Sequence, residues 1–464
     1  MRRWIAAAWL AGTSLVACAA APPSCPPAPS CPTCDPPATG PVVPDPVASA
    51  VPAVASASPP AAPVARPPRR RPTAVLFDGD RPVAGFPRGD AFALGVDGEA
   101  LDELIREAEQ TRSDALVVLK DHQIVAERSF GSRRGPIETM SVTKSITALA
   151  VMMLIEDGKI RSLDEPVGRF IPEFSRGKRA SITLRHLLTQ TSGLAHQKDA
   201  KTLNSQKDRT AFARKAEPAD EPGSTFSYNN SATQLLSVVV ASAAGKPVDT
   251  FLDQRLFRPL GIRGWQWARD EGKNVQTYYG LALEALDLAR IGQLLLDQGR
   301  SGEQQLLSAA SIQQLHTPGP KNPSYGLLWW IRYERVVHEL DPAALARHEA
   351  LTRGPLGELG GRVFPSAEAL WMEAGARLSP EARGAIAALA EGGSPLTRTR
   401  PDHPVGFYAD GSLGQRLAIF PEQRLVVVRQ RRRRPAAEES EALSFPKMLK
   451  LAQALARPPG ETPD

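Results

Sequence analysis

The chain has 464 residues, of which 42% are hydrophobic and 23% are charged, and its formal net charge is +6. These values are typical of a globular protein large enough for two or three average domains, or for one large domain with additions. Residues 1–72 contain six arginines and only two acidic residues, so the remaining chain carries a charge of about +2, which argues against a nucleic-acid-binding body.

The N-terminus has the pattern of a processing signal. Arg2 and Arg3 precede the apolar run Trp4–Val16, which is shorter than the ~20 residues needed to span a bilayer. The run leads into Leu15–Val16–Ala17–Cys18, which resembles a bacterial lipobox. We therefore predict a lipoprotein signal peptide over residues 1–18, membrane attachment through lipid on Cys18, and a bacterial cell-envelope location facing the periplasm or the exterior. A plain signal peptide cut nearby is the alternative.

Residues 19–74 have the composition of a tether. Eighteen of the 43 prolines lie between residues 22 and 72, among many alanines and serines, and such a segment cannot bury a core. All four cysteines lie within the first 34 residues, so the body has no thiolate metal site. Histidines and acidic residues show no metal-ligand spacing either, and we expect no metal and no organic cofactor.

The remaining chain, from residue 75 to about 458, is predicted to form one domain. Strand patterns near both of its ends and helical patterns between them indicate an antiparallel sheet built from distant segments, flanked by helices and joined by a helical lobe. This is an α/β fold of the α+β type. The predicted helices are Leu101–Ala108, Ser141–Gly158, Ile182–Leu188, Gln234–Ala244 and Leu286–Gln298, and the predicted strands are Ala115–Lys120, Gln123–Phe130, Arg416–Phe420 and Arg424–Gln430.

Two further segments of the body lie outside these elements. Residues 331–402 separate the stretches YGLLWW and VGFYADG and are interpreted as an insertion, with helices predicted at Asp341–Leu351 and Pro380–Leu389. Arg431–Arg434 follow the last predicted strand and are expected to be a solvated end.

The tetrapeptide Ser-x-x-Lys occurs three times, and one occurrence lies at the start of a predicted helix. Ser175–Lys178 contains a glycine and Ser444–Lys447 contains a proline, whereas Ser141–Lys144 opens a long apolar helix. Three residues along a helix give ~300° of rotation and ~4.5 Å of rise, so the two side chains share one face. The first-turn amides also favour negative charge at Ser141. Ser141 is therefore the predicted nucleophile, with Lys144 as its base partner.

Tyr228–Asn229–Asn230 is the second chemical element. It is the only Tyr-x-Asn in the chain, and it precedes an apolar helix. A tyrosine beside a lysine ammonium is expected to have a lowered pKa, because the opposite charge favours the anion. Tyr228 would then take the serine proton and return it to the leaving group. We could not decide from the residues whether Lys144 or Tyr228 is the base in each step.

The order of several motifs resembles that of the serine β-lactamase-like hydrolases, which include class C β-lactamases, D,D-peptidases, esterases and 6-aminohexanoate-dimer hydrolases. The motifs are SVTKS, ITLRHLLTQTSGL, PGSTFSYNN, GLALEALDLARIGQLLLDQGR, YGLLWW and ADGSLGQRLAIFPEQRLVVV. The resemblance implies a β-lactamase/transpeptidase-like fold. It also implies that Ser141 is acylated, that Lys144 and Tyr228 carry protons, and that Asn230 orients the substrate and Lys144. His186 belongs to one motif and is expected to be a scaffold residue.

The third motif departs from the β-lactamase form. Enzymes that bind β-lactams usually present Lys-Thr-Gly or His-x-Gly on an edge strand, whereas this chain has Ala409–Asp410–Gly411–Ser412. Gly411 is expected to let the backbone approach the substrate, and the amides of Ser141 and Ser412 to form an oxyanion hole. The cation that would hold a β-lactam carboxylate is missing at position 409, and Asp410 is expected to be a solvated loop residue. The pattern is closer to the esterase and 6-aminohexanoate-dimer hydrolase branch.

These observations predict a serine hydrolase that cleaves an ester or amide bond through an acyl-enzyme. The expected partner is a small ester, amide or peptide-like substrate, with no nucleic acid. A β-lactamase or D,D-carboxypeptidase is one alternative. A non-catalytic cell-envelope binding lipoprotein is another, although a binding module does not need Ser141, Lys144 and Tyr228 together.

Overall fold

The computed structural model describes residues 70–77, 85–131, 134–195, 200–341, 356, 359–364, 367–378, 397–435, 445 and 447–455. Cys18, the signal peptide and most of the tether lie outside these ranges, as do the two helices predicted within the insertion apart from Asp341.

A six-stranded antiparallel sheet forms the centre of the fold, with the order β2-β1-β14-β13-β12-β8. Three small sheets accompany it, with the orders β3-β5-β4, β10-β9-β11 and β6-β7. The strands are β1 (Ala115–Lys120), β2 (Gln123–Ser129), β3 (Ile137–Glu138), β4 (Gln266–Trp267), β5 (Leu281–Leu283), β6 (Arg300–Ser301), β7 (Gln304–Gln305), β8 (Trp330–Tyr333), β9 (Val336–Leu340), β10 (Val363–Phe364), β11 (Thr397–Pro401), β12 (Pro404–Gly411), β13 (Gln415–Phe420) and β14 (Leu425–Gln430).

Helices cover the central sheet and form a lobe beside it. Short 3-10 segments occur between α2 and α3 and after β12, where Ser412–Gly414 form one turn. The α-helices are α1 (Gly98–Gln110), α2 (Val142–Glu156), α3 (Leu184–Leu188), α4 (Ala200–Asn204), α5 (Arg209–Arg214), α6 (Asn230–Ala244), α7 (Val248–Leu252), α8 (Ala285–Leu296), α9 (Ala309–Leu315), α10 (Ala367–Arg377) and α11 (Met448–Ala454).

Alternating side chains of the central strands build two separate cores. Val426 and Val428 of β14 belong to the core shared with α2, α6 and α8, whereas Leu425 and Val427 belong to the core shared with α1 and α11. Strand periodicity explains this, because successive side chains point to opposite faces of a sheet. Gly292 of α8 is required by close packing, since a Cβ there would lie 2.6 Å from Val426 Cγ1. The sheet is therefore covered by helices on both faces.

Helix α2 is almost entirely buried. It contacts β12 and β13 on one side and α6 and α7 on the other, and its residues 142–154 are all buried. Ser145 Oγ donates to Leu328 O over 2.6 Å, and Thr139 Oγ1 donates to Leu281 O over 2.9 Å, so the start of the helix is tied to two other segments. Gly158 follows its C-cap with φ 68°, as expected for the residue that ends a helix.

The predicted body elements are confirmed, with shifts at their ends. Helix α1 is longer than predicted, and α6 begins four residues earlier because Asn229 caps it, accepting from Ala232 N over 3.0 Å. Strand β8 was not predicted. It pairs with β12 from Pro404 to Tyr408, so β12 is an edge strand over its last three residues, Ala409–Gly411, where the motif was expected to lie at an edge.

The two ends of the predicted body differ from expectation. Thr73, assigned to the tether, donates its amide and hydroxyl to Asp102 and so packs on α1. Arg431 is only 1% exposed, and Arg432 donates to the carbonyls of Pro136 and Gly135. The interpretation of Arg431–Arg434 as a solvated end was therefore wrong for Arg431, which follows β14 into the interior, whereas Arg433 is exposed.

Among the described residues no single helix is long and apolar enough to cross a membrane. One bent pair, Asn230–Ala244 with Val248–Phe257, passes the same criterion of length and composition when taken together.

Candidate active site

Ser141 lies at the N-terminal end of α2, directly before the first helical residue. The preceding residue, Met140, is buried and has φ 50°, a left-handed conformation that costs energy for a residue other than glycine. Lys144 lies one turn further on, and its Nζ donates to Ser141 Oγ over 3.0 Å. The helix therefore holds the two groups in contact, as their spacing predicted.

Lys144 is surrounded by protein. Its side chain is only 1% exposed, and its Nζ makes a second hydrogen bond to Tyr278 O over 2.9 Å. In the described part of the chain no carboxylate pairs with it. Burial alone lowers the pKa of Lys144 to about 7, because removal from water disfavours the ammonium form. At neutral pH, a substantial share of the molecules then holds a neutral amine beside Ser141.

Tyr228 faces the same two residues from the loop before α6. Lys144 Nζ lies 4.8 Å from the centre of the Tyr228 ring. Gln190, which itself has φ 58°, holds the loop on both sides of the tyrosine: its carbonyl accepts from Ser227 N over 2.8 Å and its side-chain Oε1 accepts from Asn229 N over 2.5 Å.

The pKa of Tyr228 changes in the direction opposite to our expectation. Burial raises it to about 12, and the negative charge of Asp410 adds to this, while an interaction with Ser141 opposes it. The expected lowering assumed a charged lysine, but burial disfavours the charged form of Lys144 as well. Tyr228 is therefore a protonated phenol at neutral pH, able to donate a hydrogen bond.

The residues expected to supply the oxyanion amides, Ser141 and Ser412, line one cavity. The turn Ser412–Gly414 follows β12, and Ser412 lines the same cavity as Ser141. Within the described chain neither the Ser141 amide nor the Ser412 amide has a backbone acceptor. Gly411 is needed for packing, since a Cβ there would lie 2.6 Å from Thr139 O. This close approach brings β12 against the loop that precedes the nucleophile.

Asn230 is the first residue of α6 and is half-buried. Its Oδ1 is buried and has no hydrogen-bond partner in the described structure. The two hydrogen bonds of Lys144 go to Ser141 and Tyr278, so the expected contact between Asn230 and Lys144 is not made here. The neighbouring Asn229 has the structural task of capping the helix.

A cavity of about 360 Å³ opens over Ser141. It is lined by Ser141, Tyr228, Trp330, Asp410, Gly411, Ser412, Leu413, Gly414 and Arg416.

The side chains of the third motif are arranged differently from our expectation. Ala409 is 0% exposed and packs in the core, so it does not face the substrate. Asp410 faces the cavity and is a strand residue, paired with Arg416 of β13 (Nε to Oδ1, 2.8 Å). Asp410 is therefore not a solvated loop residue, and a cation is present in the cavity, on the neighbouring strand.

One known protein family matches most of this sequence. A sequence profile of the Beta-lactamase family matches residues 101–442, about three quarters of the chain. The chain belongs to the β-lactamase family.

Individual members of the family match shorter stretches of sequence. Esterase EstB of Burkholderia gladioli is 34% identical over 144 residues, covering 26% of this chain and 36% of EstB. The D-alanyl-D-alanine-carboxypeptidase/endopeptidase AmpH of Escherichia coli K12 is 28% identical over 169 residues, covering 32% of this chain and 43% of AmpH. Less than half the length of each relative is therefore matched.

Solved structures confirm the predicted fold. A Bacillus anthracis protein assigned as a 6-aminohexanoate-dimer hydrolase superimposes with a TM-score of 0.54 at 20% identity. The match covers 80% of this chain and 88% of the other. The family member described here thus has the β-lactamase/transpeptidase-like arrangement of an antiparallel sheet, flanking helices and a helical lobe.

Three residues of this family member that support the site were missed by sequence reasoning. They are Gln190, Tyr278, which accepts from Lys144 through its carbonyl, and Arg429. The Arg429 side chain is fully buried and donates to Leu413 O over 2.6 Å and Gly414 O over 2.9 Å. Gln190 lies within a quoted motif, so that motif was an available signal, but the roles of Tyr278 and Arg429 depend on distant contacts.

No group of three or more metal-ligating side chains occurs in the part of the chain that the structure describes.

Proposed function

We propose that this protein is a serine hydrolase that cleaves an ester or amide bond through an acyl-enzyme on Ser141. The observation that carries the proposal is the fully buried Lys144, with its pKa near 7 and its Nζ 3.0 Å from Ser141 Oγ. A buried lysine without a carboxylate partner is costly, and a binding module has no need of one beside a serine.

The protonation states support the following sequence of steps. Neutral Lys144 accepts the Ser141 proton as Oγ attacks the carbonyl carbon, and the carbonyl electron pair moves onto its oxygen. The amides of Ser141 and Ser412 stabilise this oxyanion. Tyr228, with a pKa of about 12, keeps its proton until the leaving group needs one, donates it, and is reprotonated from Lys144. Lys144 is therefore the base of the acylation step.

Deacylation reverses the roles. A water molecule attacks the acyl carbon and its proton passes to neutral Lys144, while Ser141 Oγ leaves with the proton of Tyr228, which Lys144 then reprotonates. The acid product is released, and no cofactor takes part in the proposed cycle.

Labelling with a fluorophosphonate followed by peptide mapping tests the nucleophile. We expect the label on Ser141, and loss of both labelling and hydrolysis of p-nitrophenyl butyrate in Ser141→Ala. Ser175→Ala is the matched control, because Ser175 also lies three residues before a lysine but its Oγ donates to Gly168 O on an exposed turn. Turnover retained by Ser141→Ala, or lost equally in the control, would refute the assignment.

A β-lactamase or D,D-carboxypeptidase is the second candidate, and the match to AmpH favours it. Asp410 argues against this candidate, because its carboxylate faces the cavity and would repel the carboxylate that β-lactams carry. The ratio of kcat/KM for nitrocefin to that for p-nitrophenyl butyrate separates the two. We expect the ester to be strongly preferred, and a ratio in favour of nitrocefin would move the protein to the β-lactamase branch.

Attachment to a membrane through lipid on Cys18 is a separate proposal, supported by the sequence around Cys18 alone. The protein would then act at a bacterial cell envelope, with the Pro-rich segment as a spacer. Wild-type protein should fractionate with membranes, and Cys18→Ser should fail to mature normally. A wild-type protein found soluble and cut elsewhere would disprove it.

A further inference from the structure

The cavity over Ser141 contains an ion pair that the proposed reaction does not use. Asp410 of β12 and Arg416 of β13 are direct partners in the strand register. Arg416 Nε donates to Asp410 Oδ1 over 2.8 Å, and Arg416 Nη1 donates to Phe445 O over 2.8 Å. Arg416 is thus held by two acceptors, one of which is a backbone carbonyl away from the cavity.

The two members of this pair are unequally exposed. The Asp410 side chain is 38% exposed, whereas that of Arg416 is 13% exposed. The second carboxylate oxygen, Oδ2, makes no hydrogen bond within the described residues, and these two are the charged side chains among the described residues that line the cavity. The negative charge of Asp410 is therefore more accessible than the positive charge of Arg416.

An aromatic wall stands beside this carboxylate. Trp330 lines the cavity, and its ring lies nearly parallel to those of Tyr228 and Tyr408, at centroid distances of 6.3 Å and 6.4 Å. Such a surface packs well against methylene groups, and aromatic faces also attract cations. A short apolar chain that ends in a positive charge matches both features.

We propose that Asp410 makes the site selective for substrates that carry a positively charged ammonium group near the scissile carbonyl. This inference rests on the proposed function of Ser141. Asp410 attracts the cation, Trp330 packs against the intervening chain, and Arg416 holds the Asp410 carboxylate in place. Substrates with a carboxylate at the same position are disfavoured by Asp410, because Arg416 is already paired.

Three p-nitrophenyl esters of similar chain length test the charge preference. They are the ester of trimethylammoniobutyrate, its uncharged carbon isostere with a tert-butyl end, and the monoester of glutarate. The quaternary ammonium cannot attack its own ester, so the substrate is stable. Rates are normalised to the fraction of enzyme labelled by a fluorophosphonate, which counts competent Ser141.

We expect the wild type to prefer the cationic ester over its isostere roughly tenfold in kcat/KM, and the isostere over glutarate. In Asp410→Asn the cationic preference should collapse towards a ratio of one. The kcat/KM for the glutarate ester should rise relative to that for the isostere, because Arg416 loses its anionic partner.

Asp402→Asn is the matched control. Asp402 also pairs with an arginine Nε over 2.8 Å, from Arg335, and its side chain is 33% exposed, but it does not line the described cavity. Its removal changes the net charge equally and should leave all three ratios at their wild-type values. Loss of the cationic preference in this variant too would attribute the effect to overall charge and overturn the inference.

Salt gives a test that needs no variant. Raising the ionic strength to ~1 M shortens the Debye length to ~3 Å, so the cationic preference of the wild type should shrink. A wild type without charge preference, a wild-type preference for glutarate, or an unchanged preference in Asp410→Asn would each overturn the inference. The uncharged isostere distinguishes this failure from that of the proposed function: if the wild type does not cleave it, or Ser141→Ala does, the hydrolase proposal itself fails.

Discussion

At the scale of single residues, the charge state of Lys144 decides the base in the proposed mechanism. A lysine on a protein surface has a pKa of about 10.5, whereas burial lowers the pKa of Lys144 to about 7. The amine is then a usable base at neutral pH, without help from a carboxylate. Burial also raises the pKa of Tyr228. The two pKa values therefore suit the roles proposed for these side chains, Lys144 as base and Tyr228 as acid.

The pH dependence of acylation should report this lysine. Because the reaction needs neutral Lys144, the rate of ester acylation at low substrate should rise tenfold per pH unit below about pH 7 and level off above it. Pre-steady-state release of p-nitrophenol between pH 5 and 9 measures it. A rate that falls as the pH rises from 5 to 8 would show that the charged lysine is the active form.

Lys144→Met should abolish acylation and yet stabilise the fold. The change in pKa from 10.5 to about 7 corresponds to a cost of at most about 5 kcal/mol for the buried ammonium. Loss of the hydrogen bond to Tyr278 O offsets part of it, so we expect a gain of about 1–3 kcal/mol in unfolding free energy at pH 7.

The sign of this effect can be checked against pH. Between pH 7 and 10.5 the unfolded chain binds more protons at Lys144 than the folded one, so wild-type stability rises with pH in this window. The advantage of Lys144→Met in urea unfolding should therefore shrink between pH 7 and 9.5. An advantage that grows over the same interval would contradict a buried lysine with a lowered pKa.

At the scale of elements, the position of Tyr228 depends on the loop after α3. Gln190 bonds to the backbone on both sides of the tyrosine, and its Nε2 donates to Leu187 O and Thr233 Oγ1. One side chain thus connects the loop, the tyrosine and α6. Gln190 acts as a positioning residue, since its bonds go to the backbone around Tyr228.

Gln190→Leu should misplace the tyrosine. The buried amide of Asn229 loses its acceptor, which should cost about 1–3 kcal/mol in unfolding free energy, and kcat should fall roughly tenfold with a smaller change in KM. Gln293→Leu is the control, because Gln293 is also buried and bonds to Asp297 within α8 and its C-cap, away from the cavity. An equal loss of kcat in folded Gln293→Leu would assign the effect to general destabilisation.

At the scale of the whole molecule, the sheet joins the ends of the domain and leaves the insertion outside. Strand β1 pairs with β14 over its whole length, so the chain must reach its last strand before the sheet is complete. Residues of the insertion form a separate core, which includes Leu340, Phe364 and Leu370. Its two ends meet, since Asp402 N donates to Arg335 O over 3.1 Å.

Excision of the insertion should leave the main domain folded. Removal of residues 336–401, with a short Gly-containing turn joining Arg335 to Asp402, would convert β8 and β12 into a hairpin without moving their register. We expect a cooperative thermal transition and fluorophosphonate labelling of Ser141 in the shortened protein. An unfolded product, or a folded one without labelling, would show that the insertion supports the site.

Much of the fold could be predicted from the sequence because its signals are local. The apolar run after Ser141, the paired strand patterns around residue 121 and the glycine after α2 each act within a few residues, and each prediction is confirmed. The contact between Ser141 and Lys144 was predictable for the same reason, since one helical turn determines it.

The sequence by itself thus determined the family, the main elements and the pairing of serine with lysine. Only the tertiary structure decided the pKa directions of Lys144 and Tyr228 and the burial of Ala409 and Arg431. The physical reason is that each of these depends on which groups exclude water from a side chain. Those groups come from distant segments, as when Arg429 bonds to Thr111 O across the chain, and a local pattern does not contain them.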